Sequence, residues 1–330
     1  MKKLNPVFLV IAFIMLATGG CEKEKSPLSN QPVTGSWHVI ANAGAGFNGI
    51  YFFNSTTGWI FGENGVIKKT INGGYNWVNQ ESGVHDRLYS IYFRDSNKGF
   101  VAGYNKTLLK TGDGGETWTP VTIASDSATL FSSIHADNDR NIYFISNHGE
   151  IFCSENAGSS WQLVYDFDEW GYSFVNFKYK PIAFAMKTFD NNIQKSGDGG
   201  SSWQTVDLPA HWTGSVFFIN ENTGWFVEDW ALSSAIHDSV VVYITHNAGA
   251  TWQSLCSLSG MSFDDLYFAD ALQGWMTDPV TIYNTCDGGK TWSEQYKSQN
   301  EGFIRDLFFI DRSHGWALTN QGEIIKYSGD

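Results

Sequence analysis

The stretch Lys110-Thr111-Gly112-Asp113-Gly114-Gly115-Glu116-Thr117-Trp118 does not occur alone. Variants recur as TINGGYNW (70–77), SENAGSSW (154–161), SGDGGSSW (196–203), THNAGATW (245–252) and TCDGGKTW (285–292). The six motif tryptophans are Trp77, Trp118, Trp161, Trp203, Trp252 and Trp292, spaced by 41, 43, 42, 49 and 40 residues. A chain with this period has to be built from similar units packed side by side, because one such unit cannot bury its own apolar face.

Two further landmarks keep the beat. A Gly-aromatic pair or its substitute falls at Trp59, Phe100, Tyr143, Ala183, Trp225, Trp275 and Trp316. An apolar anchor lies nine residues before each, at Ile50, Ile91, Ile134, Phe174, Val216, Leu266 and Leu307. There are therefore seven units. Each reads as four short strands of aromatic and β-branched residues divided by Asn, Asp and Gly turns. About 42 residues per four-stranded unit predicts an all-β, seven-bladed propeller over residues 34–330.

The seventh motif is split. The chain ends in Lys326-Tyr327-Ser328-Gly329-Asp330, a motif start, and residues 34–39 (TGSWHV) read as a motif end. Trp37 lies 40 residues before Trp77 and so falls on the beat. The N-terminal segment is expected to supply the outer strand of the last blade, which closes the ring and protects the blade edge.

The form Ser/Thr-x-Asp/Asn-x-Gly-x-x-Trp resembles the Asp-box (BNR) repeat. Its residue types have structural uses. The carboxylate or amide of Asn72, Asp113, Asn156, Asp198, Asn247, Asp287 and Asp330 can accept backbone amides and fix a turn. The hydroxyl can cap the same loop. The glycine supplies a positive φ, and the indole, Trp37 included, buries a large area. A catalytic use would need equivalent sites all round a ring, so the motif is read as a staple.

The first 20 residues read as an export signal: Lys2 and Lys3, a mostly apolar run from Leu4 to Ala17, then small residues before Cys21. The pattern resembles a bacterial lipoprotein signal, which implies a lipid on Cys21 and an extracytoplasmic, envelope-anchored protein. Residues 21–33 read as a flexible tether. Net charge is −13, and −15 without Lys2 and Lys3. With only five arginines and no basic cluster, nucleic acid is not an expected partner. Cys153, Cys256 and Cys286 form neither a disulfide framework nor a zinc site. No cofactor or metal is expected, and the chain is expected to be monomeric.

Function is expected on the face made by the loops entering the innermost strands and by the second-to-third-strand turns. Those loops carry Arg87, Trp170, Trp212 and Arg305, and the long insertion of unit 5 carries Trp230. Together they are the candidate binding residues. The plainer alternative is that Arg87 and Arg305 pair with Asp86 and Asp306, and that the tryptophans pack their own loops. Carboxylates at 166–169 and 228–229 could serve glycoside chemistry. In that case Asp168→Asn or Asp229→Asn would abolish turnover.

The unit from Ile50 to Gly65, followed by Thr70-Ile71-Asn72-Gly73-Gly74, resembles the propellers of the photosystem II stability/assembly factor family. The resemblance implies a non-enzymatic scaffold that binds an envelope protein client through an arginine-bearing face, for which Arg87 and Arg305 are the matching positions. Sialidases and glucan-cleaving enzymes also carry Asp boxes, so a glycoside hydrolase or a carbohydrate-binding module with a glycan ligand is the alternative.

Overall fold

The computed structural model describes residues 35–125, 128–137, 141–187, 190–209, 213–229, 239–259, 261–299 and 302–329. All lie in the unit Val33–Asp330. The leader, Cys21, Trp212, Trp230 and Asp330 lie outside the described residues.

Seven four-stranded antiparallel sheets form the blades of a propeller. Blade 1 runs from an inner strand, Phe47–Phe52, through Gly58–Gly62 and Ile67–Thr70 to an outer strand, Val78–Gln80. In blade 7 the inner three strands are Ile304–Asp311, His314–Thr319 and Glu323–Ser328. Its outer strand is Ser36–Asn42, which pairs antiparallel with Glu323–Ser328 in the register Trp37↔Tyr327 and Val39↔Ile325. The two ends of the domain are thus joined in one sheet.

The seams between blades are aromatic. At every seam but one, the landmark ring of the second strand lies flat on a phenylalanine at the end of the next inner strand. Trp59 stacks on Phe93 with centroids 3.6 Å apart, Trp225 on Phe268 at 3.7 Å and Trp275 on Phe309 at 4.1 Å. Trp316 on Phe52, at 3.6 Å, closes the circle. The motif tryptophan of the receiving blade then meets the same phenylalanine edge-on, as Trp118 does Phe93 at 79°. Trp37 does the same to Phe309 at 86°, which makes it the seventh motif tryptophan. Offset stacking and edge-to-face contacts are the favoured geometries of aromatic pairs.

This packing explains the glycine of the Gly-aromatic pair. Gly58 lies opposite Phe52 across the hairpin, and an added Cβ would come within 2.6 Å of that ring. Blade 3 reverses the sizes, with Ala136 opposite Ile142, and the flat stack is missing there. Phe100 instead meets Trp161 edge-on at 5.8 Å.

In unit 4 the structure corrects the expected register by one residue. Phe184, not Ala183, carries the landmark ring and stacks on Phe218 at 4.0 Å. The anchor is Val175, fully buried and paired with Ala185, not Phe174. Ala183 occupies the place that glycine holds in most other units, so the pair reads Ala-Phe and the glycine signal is lost.

Each complete box is closed by its own side chains. Thr111 Oγ1 accepts the Gly115 amide (2.8 Å) and bonds Asp113 Oδ1 (2.8 Å), which in turn accepts the Thr117 amide (2.9 Å). Gly114 N–H donates to Asn97 O (2.7 Å), which ties the box to the first turn of its blade. The same bonds hold Asp198 and Asp287 in their loops. Asn72, Asn156 and Asn247 take the equivalent roles.

The split seventh box needs a substitute. Elsewhere the seam indole can donate to a box glycine, as Trp225 Nε1 does to Gly288 O (2.9 Å) and Trp316 Nε1 to Gly73 O (3.0 Å). At the last seam Gln295 Oε1 accepts both Trp275 Nε1 (3.0 Å) and Trp37 Nε1 (2.9 Å), and its Nε2 donates to Gly35 O (3.1 Å). Gln295→Ala leaves two buried indole donors without an acceptor. It is expected to cost about 2 kcal/mol and to lower the thermal midpoint by several degrees, read by calorimetry. Deletion through Ala41 removes Trp37 and bares the Glu323–Ser328 edge, so it is expected to abolish the cooperative transition.

Candidate functional site

The strand order places two kinds of loop on each face. First-to-second-strand turns and boxes share one face, the box face. Second-to-third-strand turns and the loops between blades share the other, the entry face, which carries Arg87, Trp170 and Arg305.

Arg87 ends the loop into blade 2. Its partner is not Asp86 but Glu63, in the second turn of blade 1, with Tyr89 Oη 3.4 Å from its Nη1. Asp86 instead accepts Asn105 Nδ2 (2.6 Å) and Thr107 Oγ1 (3.0 Å). The Arg87 guanidinium lies 5.8 Å from the Tyr89 ring centre, so it forms part of a Glu-Arg-Tyr cluster with half of its side chain open to solvent.

Trp170 tops the loop into blade 4 and is 57% exposed. That loop leans on the turn of blade 3. Gly171 N–H donates to Asn147 O (2.9 Å), Glu169 N–H to His148 O (3.2 Å), and the His148 ring meets Trp170 edge-on at 4.8 Å. The nearby acids are committed or solvated. Asp166 Oδ1 accepts the Asp168 amide (2.8 Å), Glu169 pairs with Lys187, and the Asp168 side chain is 90% exposed. Exposed carboxylates lack the desolvation that raises a general acid's pKa. At the unit 5 turn, Glu228 is buried and accepts Tyr243 Oη (3.1 Å).

Arg305 is exposed on the inner strand of blade 7, two residues from Phe303, which is 54% exposed. It makes no ion pair among the described residues. In particular it does not pair with Asp306, which is turned into the channel wall and accepts the Ile50 amide of blade 1 (2.7 Å).

That last contact belongs to a layer that was not anticipated. The residues just before the anchors are Gly49, Ser90, Ser133, Phe174, Ser215, Asp265 and Asp306. Three of them accept an anchor amide of the next blade: Asp306 from Ile50, Asp265 from Leu307 (3.2 Å) and Ser90 from Ile134 (3.1 Å). Gly49 leaves space for the Asp306 carboxylate, whose Oδ2 lies 3.0 Å from where a Cβ would sit. The signal in the sequence was a hydroxyl or carboxylate one residue before an anchor. Burial pushes the Asp265 carboxyl well above the usual carboxylate range, and the neighbouring Asp306 pushes it further. Burial also raises Asp306, against the hydrogen bonds from Ile50 and Leu307.

On the box face a cavity of about 430 Å³ opens at the channel mouth, where the first turns of blades 4, 5, 6 and 7 converge. Tyr179, Phe217, Tyr267 and Ile310 line it, with Lys178, Asp270, Asp311 and Arg312 also in the lining. This concavity is on the face opposite the predicted residues.

A family model described as Photosynthesis system II assembly factor YCF48 matches residues 31–171. Among solved structures, "YCF48 bound to D1 peptide" superposes with a TM-score of 0.75 at 19% identity, covering 89% of this chain and 97% of that one. YCF48 from Cyanidioschyzon merolae gives 0.72 at 17% identity, covering 89% and 99%. This chain is a BNR-type propeller resembling the YCF48 assembly factor. A GH74 xyloglucanase from Xanthomonas campestris gives 0.67 at 12% identity, covering 88% of this chain but 53% of the enzyme, and at that distance shares the fold alone. No curated protein sequence matches the chain.

The raised carboxyls set a pH dependence. Asp265 and Asp306 hold a proton more tightly in the fold than in the unfolded chain. Their contribution is complete below the ordinary carboxylate range, near about 4, and is lost as pH rises through the raised values. Denaturant titrations between mildly acidic and mildly alkaline pH should show stability from this pair falling by on the order of 1 kcal/mol or more. The Asp265→Asn/Asp306→Asn variant, which keeps both acceptors, should lose that slope.

Proposed function

We propose that the protein is a non-enzymatic assembly scaffold that holds a protein client on its entry face. Arg87, Trp170 and Arg305 would anchor the client, with Trp212 and Trp230 contributing. It would work outside the cytoplasm, tethered by a lipid on Cys21. The observation that carries this reading is what remains on that face once the fold is satisfied: an indole 57% exposed and an arginine without an ion pair among the described residues. Tryptophan and arginine are the residue types that dominate protein interfaces. The similarity to a propeller solved as "YCF48 bound to D1 peptide" supports a polypeptide client. The repeated motif chemistry is consumed inside the boxes, which leaves it no role in turnover.

The test is capture from a membrane extract of the protein's own source, using the tagged full-length chain beside an Arg87→Ala/Trp170→Ala/Arg305→Ala version. A client retained by the parent and weakened at least tenfold in the variant is the expected outcome. Equal retention by both would overturn the entry-face assignment. An empty capture with Trp170-dependent retention of an oligosaccharide would replace the client by a glycan. The anchor has its own readout: a fatty-acid label should enter the parent and be absent from Cys21→Ser. A parent that takes up no label would remove the lipid from the proposal.

A further inference from the structure

The cavity on the box face combines two chemistries that nothing in the entry-face reading uses. Its wall is aromatic and is held from behind. Phe217 meets Tyr267 at 60° with centroids 5.1 Å apart, and Tyr267 stacks on the seam residue Phe309 at 4.8 Å. The pocket is therefore continuous with the rigid interblade packing.

Its charged residues do not pair with one another among the described residues, because the acids are turned into their own loops. Both Asp311 oxygens lie within 3.0 Å of His314 Nδ1, and Oδ1 also accepts the Ser313 and His314 amides (2.8 and 2.9 Å). Asp270 Oδ1 accepts the Leu272 and Gln273 amides, both at 2.8 Å. These acids shape their own turns. Lys178 and Arg312 make no ion pair among the described residues. Lys178 Nζ lies over the Tyr179 ring, 5.3 Å from its centre. Asp270 Oδ2 makes no hydrogen bond among the described residues.

What remains is an aromatic wall, two cations and one acceptor oxygen around about 430 Å³. That volume is in the range of ligand pockets, roughly 300–1,000 Å³. A carboxylate suits Lys178 and Arg312, and arginine can grip it with two parallel bonds. A flat apolar ring suits the wall. A hydroxyl or N–H donor on the ligand suits Asp270 Oδ2. A cationic ligand would leave Lys178 and Arg312 without a partner, and an inorganic anion would leave the rings unused. We infer that this cavity binds a small aromatic carboxylic acid bearing a hydroxyl or N–H donor, of the hydroxyphenyl or indolyl type.

The test uses the full-length chain in detergent and isothermal titration with 4-hydroxyphenylacetate and indole-3-acetate. Controls are 4-hydroxyphenylacetamide, which lacks the charge, phenylacetate, which lacks the donor, and inorganic phosphate. Expected are millimolar or tighter binding of both acids, a loss of at least tenfold for the amide and a smaller loss for phenylacetate. Lys178→Ala/Arg312→Ala, at two exposed positions, should bind at least tenfold more weakly while melting like the parent. Arg87→Ala/Arg305→Ala, on the opposite face, should bind both acids unchanged, so this site and the entry face fail separately. Heat from neither acid, equal binding of acid and amide, or phosphate binding as well as the acids would each overturn the assignment.

Discussion

The flat stack of a second-strand aromatic on the phenylalanine of the next inner strand is the contact on which the rest of the molecule depends. A four-stranded blade is narrow and strongly twisted, with apolar residues on both faces, so it cannot bury them alone. The stack provides the partner. It also fixes how close two blades come, and a constant step repeated from blade to blade determines how many close the circle. The glycine before most landmarks and the edge-on motif tryptophan follow from it. One makes room for the phenylalanine ring, and the other covers it. Blade 3 shows the dependence by exception, since exchanging sizes between Ala136 and Ile142 removes the flat stack and leaves Phe100 against Trp161.

Closure concentrates polar groups at one place. Six boxes are continuous in the chain, and the seventh is divided between its ends. The last seam therefore lacks the glycine carbonyl that receives the indole N–H of Trp225 and of Trp316, and Gln295 from blade 6 takes its place. The carboxylates of Asp265 and Asp306 lie in the same sector and carry hydrogen bonds from blade 6 to 7 and from 7 to 1. Unmet buried donors cost more than an ordinary hydrogen bond contributes. The closing sector is thus held by specific polar contacts in addition to rings.

The two faces differ because their loops answer to different constraints. Boxes and first turns bind each other, so the box face is regular, and it departs from that pattern at the split seventh box and at the channel mouth, where residues of blades 4 to 7 meet. The loops between blades are tied to the second turns by backbone bonds such as Tyr104 N–H to Arg87 O (2.8 Å) and Asn320 N–H to Phe303 O (2.8 Å), but they lack a repeated side-chain motif. They vary in length and hold the exposed Trp170 and Phe303. Arg87 and Trp170 could be placed on this face in advance, because the strand order decides the face. Their partners could not. Glu63 and His148 come from turns of the preceding blade, and adjacency across a seam has no mark in local sequence.

The sequence by itself determined the blade count, the four-strand unit, the box loops and the pairing of the two termini. Each of these follows from a local pattern repeated at a fixed interval, and Trp37 keeps that interval across the ends of the domain. The register of unit 4 was misplaced by one residue because Ala183 erased the glycine mark, and only the ring of Phe184 lying against Phe218 settles it. Tertiary structure alone decided that Asp306 serves the Ile50 amide, 256 residues away in the chain, and that the cavity opens on the box face. A repeat records what each unit does for itself, whereas contacts between blades form only once the ring has closed and brought distant residues within hydrogen-bond reach.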